Sequence, residues 1–321
     1  MYPTLFTIGN LSIPTYTVLL DLGLILGLLL TYFEGKRVLQ SGETALDVGL
    51  WTVIGGIVGG RIGYVLANWS AFSEDWLRVF RIWEGGLSFH GALLGGLLVL
   101  LAFSLIRRKD DKPLSFWVLA DVVTPGLALG ITFGWAACLM GGCAYGTVGQ
   151  GFGHAILPDI FGLEAPRFAT QVVGLVFSLI LFVAIWFMRR RWPFPGASFL
   201  MYLLIYCGGQ FFLEFTRGDE AIYLGPWRLA QWLDLVLALA AAGGLLALWW
   251  RAQGEDAGAD EPELLEETER LVSPEDAEAL EQTEEPEVPA EAEAAPEVRD
   301  PQEAGAPPEA EASAEIAEDE S

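Results

Sequence analysis

Residues 84–106 read Glu84-Gly85-Gly86-Leu87-Ser88-Phe89-His90-Gly91-Ala92-Leu93-Leu94-Gly95-Gly96-Leu97-Leu98-Val99-Leu100-Leu101-Ala102-Phe103-Ser104-Leu105-Ile106. From Ser88 on, the run is apolar and long enough for a helix to cross the hydrocarbon core of a bilayer. Its one ionisable side chain, His90, stands at the mouth of the run. An ionisable group facing lipid costs a few kcal/mol, so His90 is expected to face protein, a cavity or a substrate.

Working outward, apolar runs of similar length recur at about 14–33, 45–67, 114–142, 169–188, 197–214 and 229–250. With 88–106 they predict an all-α, polytopic membrane bundle of about seven transmembrane helices. The fourth run carries Pro125 and ends in Gly141-Gly142-Cys143-Ala144-Tyr145-Gly146, which predicts a kink or break. The start of the chain has neither a basic segment nor a cleavage site, so the first span reads as a permanent helix.

The chain has 321 residues, is 53% hydrophobic and carries a formal net charge of −24. Residues 1–251 hold basic and acidic side chains about equally. Beyond Arg251 the only basic residues are Arg270 and Arg299. The charge therefore belongs to a Glu-, Ala- and Pro-rich stretch, 252–321, without aromatic residues. Such a segment cannot bury enough apolar surface to offset its chain entropy and is expected to be disordered. It repels nucleic acid and anionic lipid. Two regions follow, a membrane domain (1–251) and an acidic tail (252–321).

Every lysine falls in loops on one side of the bundle, with Arg37, Arg107, Arg108 and Arg189–Arg191. The opposite loops hold Arg78, Arg81, Arg167, Arg217 and Arg228. The lysine-rich side is expected to be cytoplasmic, which places the N-terminus outside and the tail inside. The three cysteines, Cys138, Cys143 and Cys207, are odd in number and lie in or beside apolar runs. They read as small buried thiols rather than a disulfide framework or a zinc site. No metal or other cofactor is expected. The pairs Gly55–Gly59, Gly56–Gly60 and Gly91–Gly95 predict close helix–helix packing. Asp21, Asp47, Arg61, Asp121, Gln171, Gln210, Glu214 and Asp234 lie in or beside the spans. Most should face the bundle interior, either as internal hydrogen bonds and ion pairs or as a site. Arg61, His90 and Glu214 share the outer depth, where a lipid headgroup would sit.

The His90 run, together with Gly59-Gly60-Arg61-Ile62-Gly63-Tyr64-Val65-Leu66, resembles the signatures of the prolipoprotein diacylglyceryl transferase family. Ile13-Pro14-Thr15-Tyr16-Thr17, Arg78-Val79-Phe80-Arg81-Ile82-Trp83-Glu84 and Glu214-Phe215-Thr216-Arg217 are similar to further family segments and occur in the family's order. The resemblance covers about 5–250. It implies transfer of a diacylglyceryl group from phosphatidylglycerol to the lipobox cysteine of a prolipoprotein, in a bacterial cytoplasmic membrane. The implied partners are phosphatidylglycerol, prolipoprotein signal peptides and membrane lipids. By the same resemblance His90, Tyr16 and Glu214 are the candidate catalytic residues. Arg61, Arg217, Arg167, Gly146 and Gln210 are the candidate headgroup-binding residues.

Two positions depart from the family's pattern. Trp135 and Gln210 stand where the family carries functional arginines, and neither offers the permanent planar charge that phosphate favours. The acceptor thiol needs a base or a nearby positive charge, and the leaving phosphate needs cationic donors. His90 fits either a base or an orienting donor. The alternative is a non-catalytic homologue that binds lipid or a lipoprotein precursor. A third class, a small-solute transporter, would need a polar path across both leaflets.

Overall fold

The computed structural model describes residues 4–9, 11–73, 75–82, 85–106, 108–109 and 112–259. A hairpin of β1 (Thr4–Ile8) and β2 (Leu11–Pro14) leads into α1 (Thr15–Val38). Then come α2 (Gly42–Ala67), the short α3 (Trp69–Phe72), a 3-10 turn at Trp76–Phe80 and α4 (Phe89–Ile106). The two-residue strands β3 (Arg108–Lys109) and β4 (Lys112–Pro113) precede α5 (Phe116–Gly141). Strands β5 (His154–Pro158) and β6 (Glu164–Phe168) form a hairpin before α6 (Thr170–Met188). Helix α7 (Ala197–Leu213) runs into a 3-10 turn at Glu214–Thr216. Strands β7 (Tyr223–Leu224) and β8 (Trp227–Arg228) then open α8 (Leu229–Ala259).

Seven of these helices are long and apolar enough to cross a membrane, and they coincide with the seven apolar runs. Their outward side chains, such as Leu98, Leu105, Ile180 and Leu239, are themselves apolar, as a hydrocarbon solvent requires. The core gathers Leu119, Val122, Ile185, Phe199, Tyr202 and Tyr206 from α5, α6 and α7. Helix α8 continues to Ala259, past the boundary expected at 251. The tail from 260 on lies outside the described residues.

Helix ends follow local chemistry. The Ser41 hydroxyl accepts from the Thr44 amide at 3.2 Å and caps α2. Lys36 and Arg37 sit in the last turn of α1, where they complement the helix dipole. Helix α5 stays continuous through Pro125, as membrane helices do when neighbours compensate the lost bond. The glycine run ends the helix instead of interrupting it, because Gly142 adopts φ +74° at the C-cap.

The small-residue pairs act as expected. Helices α2 and α4 cross in backbone contact: a Cβ on Gly59 would strike the Gly91 carbonyl, and one on Gly95 would strike the Gly55 carbonyl. Gly27 and Gly126 make the same approach between α1 and α5.

The cysteine expectation fails. Cys138 and Cys143 are joined in a disulfide, with Cα atoms 4.7 Å apart, and only Cys207 is free and buried. The αL turn at Gly142 folds the chain back on the end of α5 and brings the two thiols together.

Candidate active site

A polar cavity of about 510 Å³ opens at the end of the bundle where α4 begins and α7 ends. Its walls include Tyr64 and Asn68 from α2, Ser88 and His90 from α4, Glu214 and Arg217 from the end of α7, and Arg228 from the start of α8. An apolar cleft of about 370 Å³ lies between α1, α2, α4 and α5, lined by Leu24, Leu97, Leu100, Val123 and Leu127 among others. The threonines lining it, Thr31, Thr52 and Thr124, donate to carbonyls one turn back on their own helices. It therefore offers no free hydroxyl donor from them and suits hydrocarbon.

Two guanidinium groups, Arg217 and Arg228, and two carboxylates, Glu214 and Glu220, line the polar cavity, and Asp219, which does not line it, pairs with both arginines. Arg217 pairs with Glu214 and, through Nε at 3.0 Å and Nη2, with Asp219. Arg228 donates to Glu214 Oε2 at 3.3 Å, to Asp219 Oδ1 at 3.0 Å and to the carbonyl of Arg217 at 2.7 Å. Partial burial alone would push the Asp219 carboxyl up, but hydrogen bonds and charge from Arg217, then Arg228, hold it below its ordinary range. Burial works against the Arg217 charge, yet Asp219 and Glu214 raise its pKa further. Both guanidinium groups stay cationic.

Backbone pairing fixes this cluster in place. Gly146 bridges Arg217, Gly218 N donates to Tyr145 O at 2.8 Å, and Thr147 N donates to Thr216 O at 2.9 Å. A Cβ on Gly146 would collide with the Phe168 carbonyl, so only glycine allows the three segments to meet there. The disulfide closes the same loop, and Gln171 Nε2 holds its Cys143 carbonyl at 3.0 Å.

Across the cavity, His90 Nε2 lies 2.9 Å from Asp234 Oδ1 on α8. The Phe89 ring packs edge-on to the imidazole at 5.4 Å between centroids.

Of the residues expected from sequence, His90, Glu214 and Arg217 converge on this cavity. Gly146 stands behind it, against the backbone of Arg217. Arg61 is buried nearby, but its five N–H groups all donate to carbonyls: Val79, Gly85, Gly86, Arg78 and Arg81. The Phe72 and Tyr64 rings flank it at 5.3 and 5.9 Å. Glu214 pairs with Arg217 and Arg228, not with Arg61. Arg167 sits on β6, bound to Asp159 at 2.9 Å and stacked over the Tyr145 ring at 4.6 Å. Tyr16, at the start of α1, packs on Gly141. Gln210 is buried one turn before Glu214, and its Nε2 has no partner among the described residues. Tyr16, Arg61, Arg167 and Gln210 do not line the polar cavity. Trp135 is buried against Gly174. Sequence reasoning missed Arg228 as a site residue. The available signal was a lone arginine opening the seventh span on the side that carries no lysine.

The family model for prolipoprotein diacylglyceryl transferase matches residues 3–249. The chain belongs to the prolipoprotein diacylglyceryl transferase family. Curated relatives named phosphatidylglycerol–prolipoprotein diacylglyceryl transferase agree over nearly their whole length. The Gloeobacter violaceus protein is 33% identical over 260 residues, 77% of this chain and 92% of that protein. The Nostoc sp. protein is 32% identical over 256 residues, 75% of this chain and 87% of that one. The Halalkalibacterium halodurans protein is 32% identical over 262 residues, covering 77% and 86%. With its seven apolar helices, this family member is a multi-pass bacterial membrane protein.

Proposed function

We propose that the protein transfers the diacylglyceryl group of phosphatidylglycerol to the lipobox cysteine thiol of prolipoproteins. The observation that carries this reading is the convergence of His90, Glu214, Arg217 and Arg228 on one polar cavity, in a bundle that also holds an apolar cleft. An amphiphilic donor needs both, a polar chamber for the headgroup and apolar surface for the acyl chains.

His90 is the base that takes the thiol proton. Arg217 and Arg228 face the phosphate that leaves with the glycerol headgroup and stabilise its developing charge. Glu214 holds the two guanidinium groups in place. Tyr16 and Gln210 stand outside the chamber that holds the headgroup and have no direct contact with it in this reading. Arg61 serves the loop at 78–86 in this reading, because binding phosphate would cost it that loop. Arg167 and Gly146 support the wall behind Arg217. The signal peptide of the precursor approaches in the membrane plane.

The cavity end faces outward in a bacterial cytoplasmic membrane, with the N-terminus outside and the acidic tail in the cytoplasm. Lysine placement supports this orientation, and so does the disulfide at the cavity end, since such bonds persist in oxidising compartments. The test is complementation of a strain depleted of its own diacylglyceryl transferase, with a transfer assay using labelled phosphatidylglycerol and a lipobox peptide. Growth and labelled peptide are expected. Lipid binding without any transfer would favour the non-catalytic homologue, a reading that the buried Trp135 at a family arginine position keeps open.

A further inference from the structure

We propose that Asp234 is a positioning residue for His90, so that carboxylate and imidazole work as a dyad in thiol activation. The proposal rests on the reading of His90 as the base. Asp234 lies in the second turn of α8 and is 2% exposed. Its Oδ1 meets His90 Nε2 at 2.9 Å, from a position 144 residues further along the chain. His90 lines the polar cavity and Asp234 does not. The imidazole therefore stands between the cavity and the carboxylate.

That order has a chemical consequence. An ionised carboxylate only accepts hydrogen bonds, so the proton of a neutral His90 resides on Nε2. Nδ1 keeps its lone pair and has no protein partner among the described residues. Phe89 packs on both His90 and Tyr206 and restricts rotation of the ring. A buried carboxylate is an expensive way to satisfy one imidazole N–H. It becomes useful when the imidazole must turn cationic.

The reaction needs that step. The substrate thiol gives its proton to His90 Nδ1, and the sulfur electron pair forms the S–C bond at glycerol C3. The C3–O bond breaks, and its electron pair leaves on the phosphate oxygen of glycerol phosphate, opposite Arg217 and Arg228. His90 is then an imidazolium beside Asp234, and it returns its proton to water or to the departing phosphate.

The test uses the full chain in phosphatidylglycerol nanodiscs. Asp234→Asn, Asp234→Glu and His90→Gln are compared with wild type for kcat and for KM of a lipobox peptide. The chain has two histidines, so 15N-histidine spectra with His154→Gln for assignment read the His90 tautomer directly. The expected result is a kcat loss of about 10²–10⁴-fold for Asp234→Asn with KM near wild type, partial rescue by Asp234→Glu, and an Nε2–H tautomer in wild type. Wild-type kcat in Asp234→Asn with His90→Gln inactive would overturn the dyad and leave the base reading standing. Wild-type turnover in His90→Gln would overturn both. An Nδ1–H tautomer in the wild-type protein would overturn the dyad even if no Asp234 variant folds.

Discussion

The two ends of the bundle each hold a buried arginine–carboxylate cluster, and one of the two lines the polar chamber of about 510 Å³. At the lysine-rich end, Glu34 is 4% exposed and binds both Arg37 and Arg189, the latter at 3.1 Å. Arg189 also stacks on Trp186, 3.4 Å from the ring centroid. Nearby, Asp121 caps α7 by accepting from the amides of Gly196 at 2.6 Å and Phe199 at 2.8 Å. The charged groups of that cluster are spent on one another or on chain ends, and none of them lines the polar chamber. At the other end, Arg217 and Arg228 are as fully paired, yet they form a wall of that chamber opposite His90. Burial and pairing therefore do not separate a purely structural ion cluster from the one proposed to act on the headgroup. Adjacent space does, together with a group able to exchange a proton.

Mutations should break this comparison unevenly. The largest effect is expected from His90→Gln, which removes the proposed base and should lower kcat by about 10²-fold or more, with phosphatidylglycerol still bound, as read by transfer and lipid-binding assays. Next, Arg228→Lys keeps the charge but loses the planar fork. The loss of one charge-assisted hydrogen bond at roughly 1.5–3 kcal/mol predicts a loss of about 10- to 100-fold in kcat. Arg189→Ala, at the other end, should lower the melting temperature in detergent and leave kcat of the surviving protein unchanged. If Arg189→Ala slowed turnover as much as Arg228→Lys, the distinction between the two ends would collapse.

Smaller effects sharpen the picture. Replacing both Cys138 and Cys143 by Ser loosens the loop behind Arg217 and should reduce transfer a few-fold, whereas Cys138→Ser alone leaves a free thiol that alkylation detects. The Asp219 carboxyl has a lowered pKa, so its contribution to stability is present above the ordinary carboxylate value of about 3.9 and is lost as pH falls through the lowered one. The melting-temperature gap between wild type and Asp219→Asn should thus be constant from pH 7 to pH 5 and close only in stronger acid. Least of all, truncation after Ala259 should leave transfer unchanged.

The seven helices were legible because hydrocarbon permits few sequences: each span must be an apolar run with satisfied backbone. Close backbone packing at the paired glycines was legible for a related reason, but that α2 and α4 are the partners was not, because small-residue spacing does not say which helix it meets. The hairpin of His154–Pro158 with Glu164–Phe168 was not, because outside the membrane five residues without alternation carry no strand signal. Arg61 and Arg228 show the limit at the site. A guanidinium that binds five carbonyls and one that lines a polar chamber look identical in a sequence, and their partners come from distant segments. The disulfide escaped because an odd cysteine count and a four-residue gap hide a left-handed turn at Gly142.

The glycine crossing has a consequence for machining tolerance. His90 is the immediate neighbour of Gly91, which rests on the backbone of Gly59 with no side chain between them. A contact between two main chains has no rotamers with which to drift, so the imidazole is indexed to α2 as firmly as to its own helix. Displacement of a reacting group by about 1 Å can cost 10²-fold in rate. In a bundle held largely by pliable apolar side chains, the crossing supplies a datum surface from which the site is measured.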